Sequence, residues 1–169
     1  MTENYNPTYP NADRVPWNKG RLIGPKPPLR PKHVWAIRTK LQLERDTRDL
    51  ALFNLAIDSK LRGCDVVAVR VEDVAPRGLT LDRATVRQKE TGRPVKFELT
   101  EQARETIDAY LTETRRVPGQ YLFPGRVDNE VHVTARQYSR LLKQWLTAVG
   151  LDPAIYGTHS LRRTKTTLI

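Results

Sequence analysis

Cysteine is almost absent from these 169 residues, Cys64 being the sole one. A lone thiol excludes an internal disulfide and any multi-cysteine zinc cage. Histidine is nearly as scarce, and His33, His132 and His159 stand too far apart for metal-ligand spacing, so no structural metal is expected. No apolar run approaches the roughly 20 residues that span a bilayer. The opening stretch MTENYNPTYPNADR also lacks the charged and apolar regions of a secretory signal, and a cytosolic protein is predicted. Acidic residues are in short supply as well: 19 Asp and Glu stand against 29 Lys and Arg, a formal net charge of +10.

That excess sets up a field that attracts polyanions, of which nucleic acid is the commonest a soluble protein meets. Charge does not name the partner, because ribosomal proteins and basic enzymes share this balance. Its distribution is more informative. Residues 1–32 hold Pro7, Pro10, Pro16, Pro25, Pro27, Pro28 and Pro31, which prevent a continuous helix and favour extended backbone. Arg14, Lys19, Arg21, Lys26, Arg30 and Lys32 follow one another there without an intervening acid, a pattern suited to tracking a phosphate backbone. The segment reads as a basic arm, with a solvated tail as the alternative. Trp17 within it could stack on a base.

Residues 33–169 read as one mainly helical α+β domain with a small antiparallel sheet. Val34, Ile37 and Leu41 mark a first helical face, and Leu50, Phe53 and Ile57 a second in a helix opening near Asp46 or Thr47. A short helix follows Leu61 and ends before an acidic turn at Glu72 and Asp73. The period then changes to two. TLDRATVRQK and PVKFEL predict strands joined by a tight turn at ETGR, a hairpin with basic residues near its tip. Thr100 and Thr134 are placed to cap two further helices, the second burying Tyr138, Leu141, Leu142, Trp145 and Leu146. Thr158 is read as the cap of a last helix, within which the sequence ends.

Several polar residues fall at element boundaries instead of on open helical faces: Arg62 at a helix start, Lys89 at the hairpin tip, and His159 with Arg162 one turn apart. Residues at i and i+3 on a helix project together, so His159 and Arg162 can face one bound group. Guanidiniums match the paired oxygens of a phosphate and offset charge growing in a phosphoryl-transfer transition state. A histidine and a mobile lysine supply proton transfer to the bridging oxygens. Singly, each of these residues is more often a solvated surface group; the set and its order carry the signal.

In that order the sequence resembles the tyrosine recombinase, or phage integrase, family over roughly residues 33–169. IDSKLRGCDVVAVRVEDV is similar to the family's first arginine box, which maps to Arg62 with the supporting Asp65. VRQKETGRPVKFEL is similar to its hairpin, mapping the lysine to Lys89. YGTHSLRRT is similar to the second box, mapping to His159 and Arg162, and LFPG resembles a common loop before it. The resemblance implies site-specific DNA recombination or integration without metal or cofactor. A tyrosine attacks the scissile phosphate to form a 3′-phosphotyrosyl bond and release a 5′-hydroxyl. Arg62 and Arg162 are then implied to hold the non-bridging oxygens, Lys89 to protonate the leaving oxygen, and His159 to act as acid or base. Double-stranded DNA and other recombinase protomers are the implied partners, with Arg87, Arg93 and Arg163 added to the arm residues as DNA contacts.

Two departures stand beside it. The family continues past the second box to a His or Trp box and its nucleophilic tyrosine, whereas this sequence stops at Ile169, so a chain inactive in cis is expected. A separate core-binding domain usually precedes the catalytic one, and in this sequence only the basic arm precedes it. The alternative is a non-catalytic DNA-binding or assembly module that keeps the same cationic groove.

Overall fold

The computed structural model describes Lys19 and residues 24–168. The first helical pattern becomes α1 (Pro31–Leu43), with Val34, Ile37 and Leu41 buried. Proline suits its first position, where an N–H has no intrahelical acceptor. The chain reverses through Arg45 into α2 (Thr47–Ser59), capped by the Asp46 carboxylate, which accepts the Asp49 N–H at 3.0 Å. Two short helices follow, α3 (Gly63–Val67) and α4 (Val71–Val74). The second corrects the expected acidic turn. Glu72 and Asp73 lie inside α4, where Asp73 accepts the Arg70 N–H at 2.8 Å and so starts a helical turn instead of ending one.

The period-two stretch folds as β1 (Arg83–Arg87) paired antiparallel with β2 (Pro94–Glu98), in a register that sets Ala84 opposite Phe97 and Val86 opposite Val95. The strand is shorter than its sequence pattern, because Thr80 leaves the ladder to bond Asp108 through both its amide and its hydroxyl. Gly92 takes a φ of 66° in the connecting turn, a conformation open to glycine without Cβ strain, and its N–H reaches Gln88 O at 2.8 Å. Beyond the hairpin come α5 (Glu101–Thr114), α6 (Ala135–Ala148) and α7 (Thr158–Thr164). Thr100 and Thr134 cap the first two through their hydroxyls, as their positions require. The third is capped one residue earlier than read: Gly157 precedes it, and its N–H donates to Ser160 Oγ at 3.1 Å. It closes at Thr164 into a 3-10 turn over Lys165–Thr167.

The second correction concerns α2. Leu50, Phe53 and Ile57 are not a face, because every residue from Asp49 to Ser59 is buried. α2 packs against α1, α3, α5, α7 and β2, which surround it. A helix enclosed on all sides must satisfy its polar residues internally. Accordingly Asn54 accepts from Arg38 Nε at 2.6 Å and donates to Thr106 at 3.2 Å, tying α1, α2 and α5 together. Phe53 meets Trp145 of α6 edge to face, with ring centroids 5.6 Å apart. On α6, Tyr138, Leu142, Trp145 and Leu146 are buried while Leu141 is half-buried at the margin. The last residues of the expected arm pack on this domain. Leu29 is in the core, its N–H donates to Thr164 Oγ at 3.1 Å, and Lys26 Nζ reaches Tyr156 O at 3.4 Å.

Candidate active site

The short segment from Lys60 to Asp65 organises the cationic residues. At the C-terminal end of α2 the chain turns through Lys60 in the left-handed conformation, φ 55°. That reversal ends the helix and exposes the Lys60 carbonyl, which accepts Nε of Arg162 at 2.9 Å. Two residues on, Arg62 caps α3 in extended backbone, half-buried, and its guanidinium forms an ion pair with Glu90 at the hairpin tip. Asp65, on α3 and buried, accepts the backbone N–H of Lys89 at 2.9 Å. α3 approaches α6 and α7 closely at Gly63, where an added Cβ would lie 3.5 Å from the Tyr138 ring and 3.6 Å from Thr158 Oγ.

One stretch of six residues therefore touches both other parts of the predicted set, the hairpin tip and α7. His159 and Arg162 line one groove of about 720 Å³ together with Lys60, Lys96, Arg163 and Lys165. Two carboxylates also border it, and both are engaged: Asp58 accepts the Thr100 amide and hydroxyl at 2.8 Å each, and Glu98 pairs with Arg83 at 3.2 Å. The groove thus presents cations. Lys89 lies outside it, exposed at the turn and bordering a smaller cleft of about 290 Å³ under the hairpin with Asp65 and Arg87. Arg62 lines neither of them, its guanidinium being engaged by Glu90.

The remaining basic candidates are dispersed. Arg87 donates to Gly92 O at 2.8 Å within the hairpin, and Arg93 is exposed beside it. Arg163 is exposed and reaches Lys26 O at 3.3 Å. Lys19, Arg30 and Lys32 are exposed, while Arg14, Arg21 and Trp17 lie outside the described residues. Tyr110 and Tyr138 are core residues, and burial raises the pKa of both phenols, which opposes forming a phenolate at either. Among the described residues no group of His, Cys, Asp and Glu is arranged to hold a metal ion, and no helix is long and apolar enough to cross a membrane.

Sequence reasoning missed Glu90, Lys60 and Lys165. A signal existed for the last: His159, Arg162 and Lys165 recur at intervals of three along one helical row. For Glu90 the signal was only its adjacency to Lys89, which does not say which cation it meets.

The family model described as the Phage integrase family matches residues 29–169. Over 122 residues the chain is 29% identical to the probable integrase/recombinase YoeC of Bacillus subtilis, covering 72% of this chain and 62% of that protein. Its fold superposes on XerA recombinase with a TM-score of 0.70 at 16% identity, over 87% of this chain and 52% of that one. A lambda integrase dimer bound to a COC′ core site gives a TM-score of 0.63 at 16% identity, over 88% of this chain and 54% of that one. At these identities the superpositions show a shared fold. The chain spans about three-fifths of the length of its curated relative and about half of each solved one.

Proposed function

The chain belongs to the phage integrase family, and on that premise we propose that it is the phosphate-binding part of a tyrosine-type DNA recombinase. Its reaction is strand cleavage and rejoining through a 3′-phosphotyrosyl intermediate. A tyrosine hydroxyl attacks the scissile phosphorus, the P–O bond to the 5′-oxygen breaks, and that oxygen leaves with a proton. Because a phosphodiester replaces a phosphodiester, the reverse attack by a 5′-hydroxyl rejoins the strand without an external energy source.

Arg62 and Arg162 hold the non-bridging oxygens and offset the charge that grows on them. Arg162 is fitted to this because Nε is already held by Lys60 O, which fixes the guanidinium plane and leaves its terminal N–H groups for a ligand. Lys89, on the exposed turn, delivers the proton to the leaving oxygen, and Asp65 holds that turn by its backbone. His159 assists proton transfer beside Arg162. The nucleophile is a tyrosine that no position after Arg162 in this sequence supplies, and buried Tyr110 and Tyr138 do not replace it. Arg87, Arg93, Arg163 and the basic residues of the segment 1–32 follow the backbone of double-stranded DNA. Just as the lambda integrase relative was captured as a dimer on a core site, this protein works with other protomers in a synaptic complex, on the nucleoid in the cytoplasm.

The observation that carries this reading is the Lys60–Asp65 segment, which joins the hairpin tip to Arg162. The test uses the longest natural reading frame containing these residues and a nicked DNA half-site that traps the covalent adduct. Arg62→Ala or Arg162→Ala is expected to lower the rate of adduct formation by roughly 10²- to 10³-fold, the usual loss when one stabilising donor is removed from a transition state. DNA binding with no adduct in the wild-type chain would instead support the non-catalytic module.

A further inference from the structure

We propose that Lys165 is a positioning residue for strand cleavage, clamping α7 to the C-terminal end of α2 and to the foot of the hairpin. The proposal rests on the strand-cleavage reading above. The last carbonyls of any helix lack intrahelical partners, and they carry the negative end of the helix dipole. In α2 one of these is Asp58 O, and it accepts Lys165 Nζ at 2.9 Å. The same ammonium donates to Glu98 O at 2.8 Å, at the end of β2. Lys165 therefore holds three segments at one point. α2 leads within four residues to Arg62, β2 returns from the turn that carries Lys89, and Lys165 itself begins the turn that follows His159 and Arg162.

Two of the three ammonium donors are committed to protein carbonyls, so its role runs through the groups it places and not through a contact with DNA. Arg162 makes the neighbouring contact, Nε to Lys60 O at 2.9 Å. The two cations thus grip the same helix end from the same row of α7 and its turn. Removing the outer one frees the segment that carries the inner one to shift along the carbonyls of α2. Displacing a catalytic group by about 1 Å costs on the order of 10²-fold in rate without any loss of binding surface.

The experiment compares wild type, Lys165→Met and Lys165→Arg in the longest natural chain, measuring adduct formation on the nicked half-site, DNA affinity by anisotropy, and thermal midpoint. Lys165→Met is expected to slow adduct formation by about 10- to 100-fold while DNA affinity stays near wild type. Lys165→Arg, which keeps a cationic donor at the two carbonyls, recovers most of the rate. If Lys165→Met does not fold, Lys165→Ala, which also removes the donors to both carbonyls, takes its place in the same comparison. An adduct rate within twofold of wild type overturns the proposal, and so does a loss of rate matched by equal losses of affinity and thermal midpoint. Absence of any adduct from the wild-type chain refutes the strand-cleavage reading and this inference with it. An adduct that Arg162→Ala abolishes and Lys165→Met spares refutes the inference alone.

Discussion

The two ends of α2 have similar compositions and opposite uses. At the N-terminal end Arg45, Asp46, Arg48 and Asp49 stand together; at the C-terminal end, Asp58, Lys60 and Arg62 do. At the first end side-chain carboxylates do the accepting. Asp46 caps the helix, and buried Asp49 accepts the Trp145 indole N–H at 2.9 Å and Arg48 at 2.8 Å. The second end recruits cations from elsewhere in the chain, with carbonyls of Asp58 and Lys60 taking Lys165 and Arg162. The difference follows from helix polarity. Free N–H groups and positive potential collect at the start of a helix and call for carboxylates, while free carbonyls collect at its end and call for donors. One helix thereby supplies an anchor for the core at one end and an assembly point for positive charge at the other.

Substitutions along α2 break that comparison by degrees. Phe53→Ala, at its middle, removes the ring that meets Trp145 and is expected to cost about 3–5 kcal/mol in urea unfolding, loosening both ends together. A loss below ~1 kcal/mol would show that α2 is not the central support its burial indicates. Asp49→Ala is expected to cost less, roughly 1–3 kcal/mol, by leaving a buried indole N–H without its acceptor. Because that loss is confined to the N-terminal end, adduct formation per folded molecule should hold while Arg162→Ala suppresses it. Smaller still is Lys60→Gly, which relieves a left-handed residue of its Cβ and should change stability by no more than about 1 kcal/mol, in the stabilising direction.

The smallest effect lies at the start of α1 and is a matter of pH. Burial, followed by the charges of Lys32 and Arg30, lowers the pKa of His33 below its ordinary value of 6.5. The neutral ring accepts the Arg30 N–H at 3.4 Å and meets Tyr156 edge to face at 6.0 Å. A depressed pKa means the folded state binds fewer protons than the unfolded one. The contribution is therefore present above 6.5 and lost as pH falls through the lower, folded-state value. Melting curves between about pH 7.5 and about pH 5 should fall more steeply for wild type than for His33→Gln. Parallel curves would remove His33 from the account.

Much of this was legible beforehand where the reasons are local. The buried positions of α1 and the Thr100 and Thr134 caps depend on residues within a few positions of one another, and the structure places them as their spacing requires. α2 was misread because Asp49, Asn54 and Asp58 look like solvent-facing residues in a one-dimensional pattern. Their burial depends on Trp145, Thr106 and Thr100, partners 96, 52 and 42 residues away, which no periodicity in the helix reveals. The same limit applied at the site. Arg62, Lys89, His159 and Arg162 were picked out by type and order, yet nothing in those features tells that Glu90 pairs with Arg62 or that Lys165 reaches Glu98 O, 67 residues away.

The sequence by itself determined the class of elements, the family and the identity of the cationic residues, because apolar period, capping chemistry and short motifs are written within a turn or two of chain. Only the tertiary structure decided which cation rests on which carbonyl. Helix ends offer the same unsatisfied groups wherever they occur, and the partner that fills them is chosen by where the rest of the chain is packed.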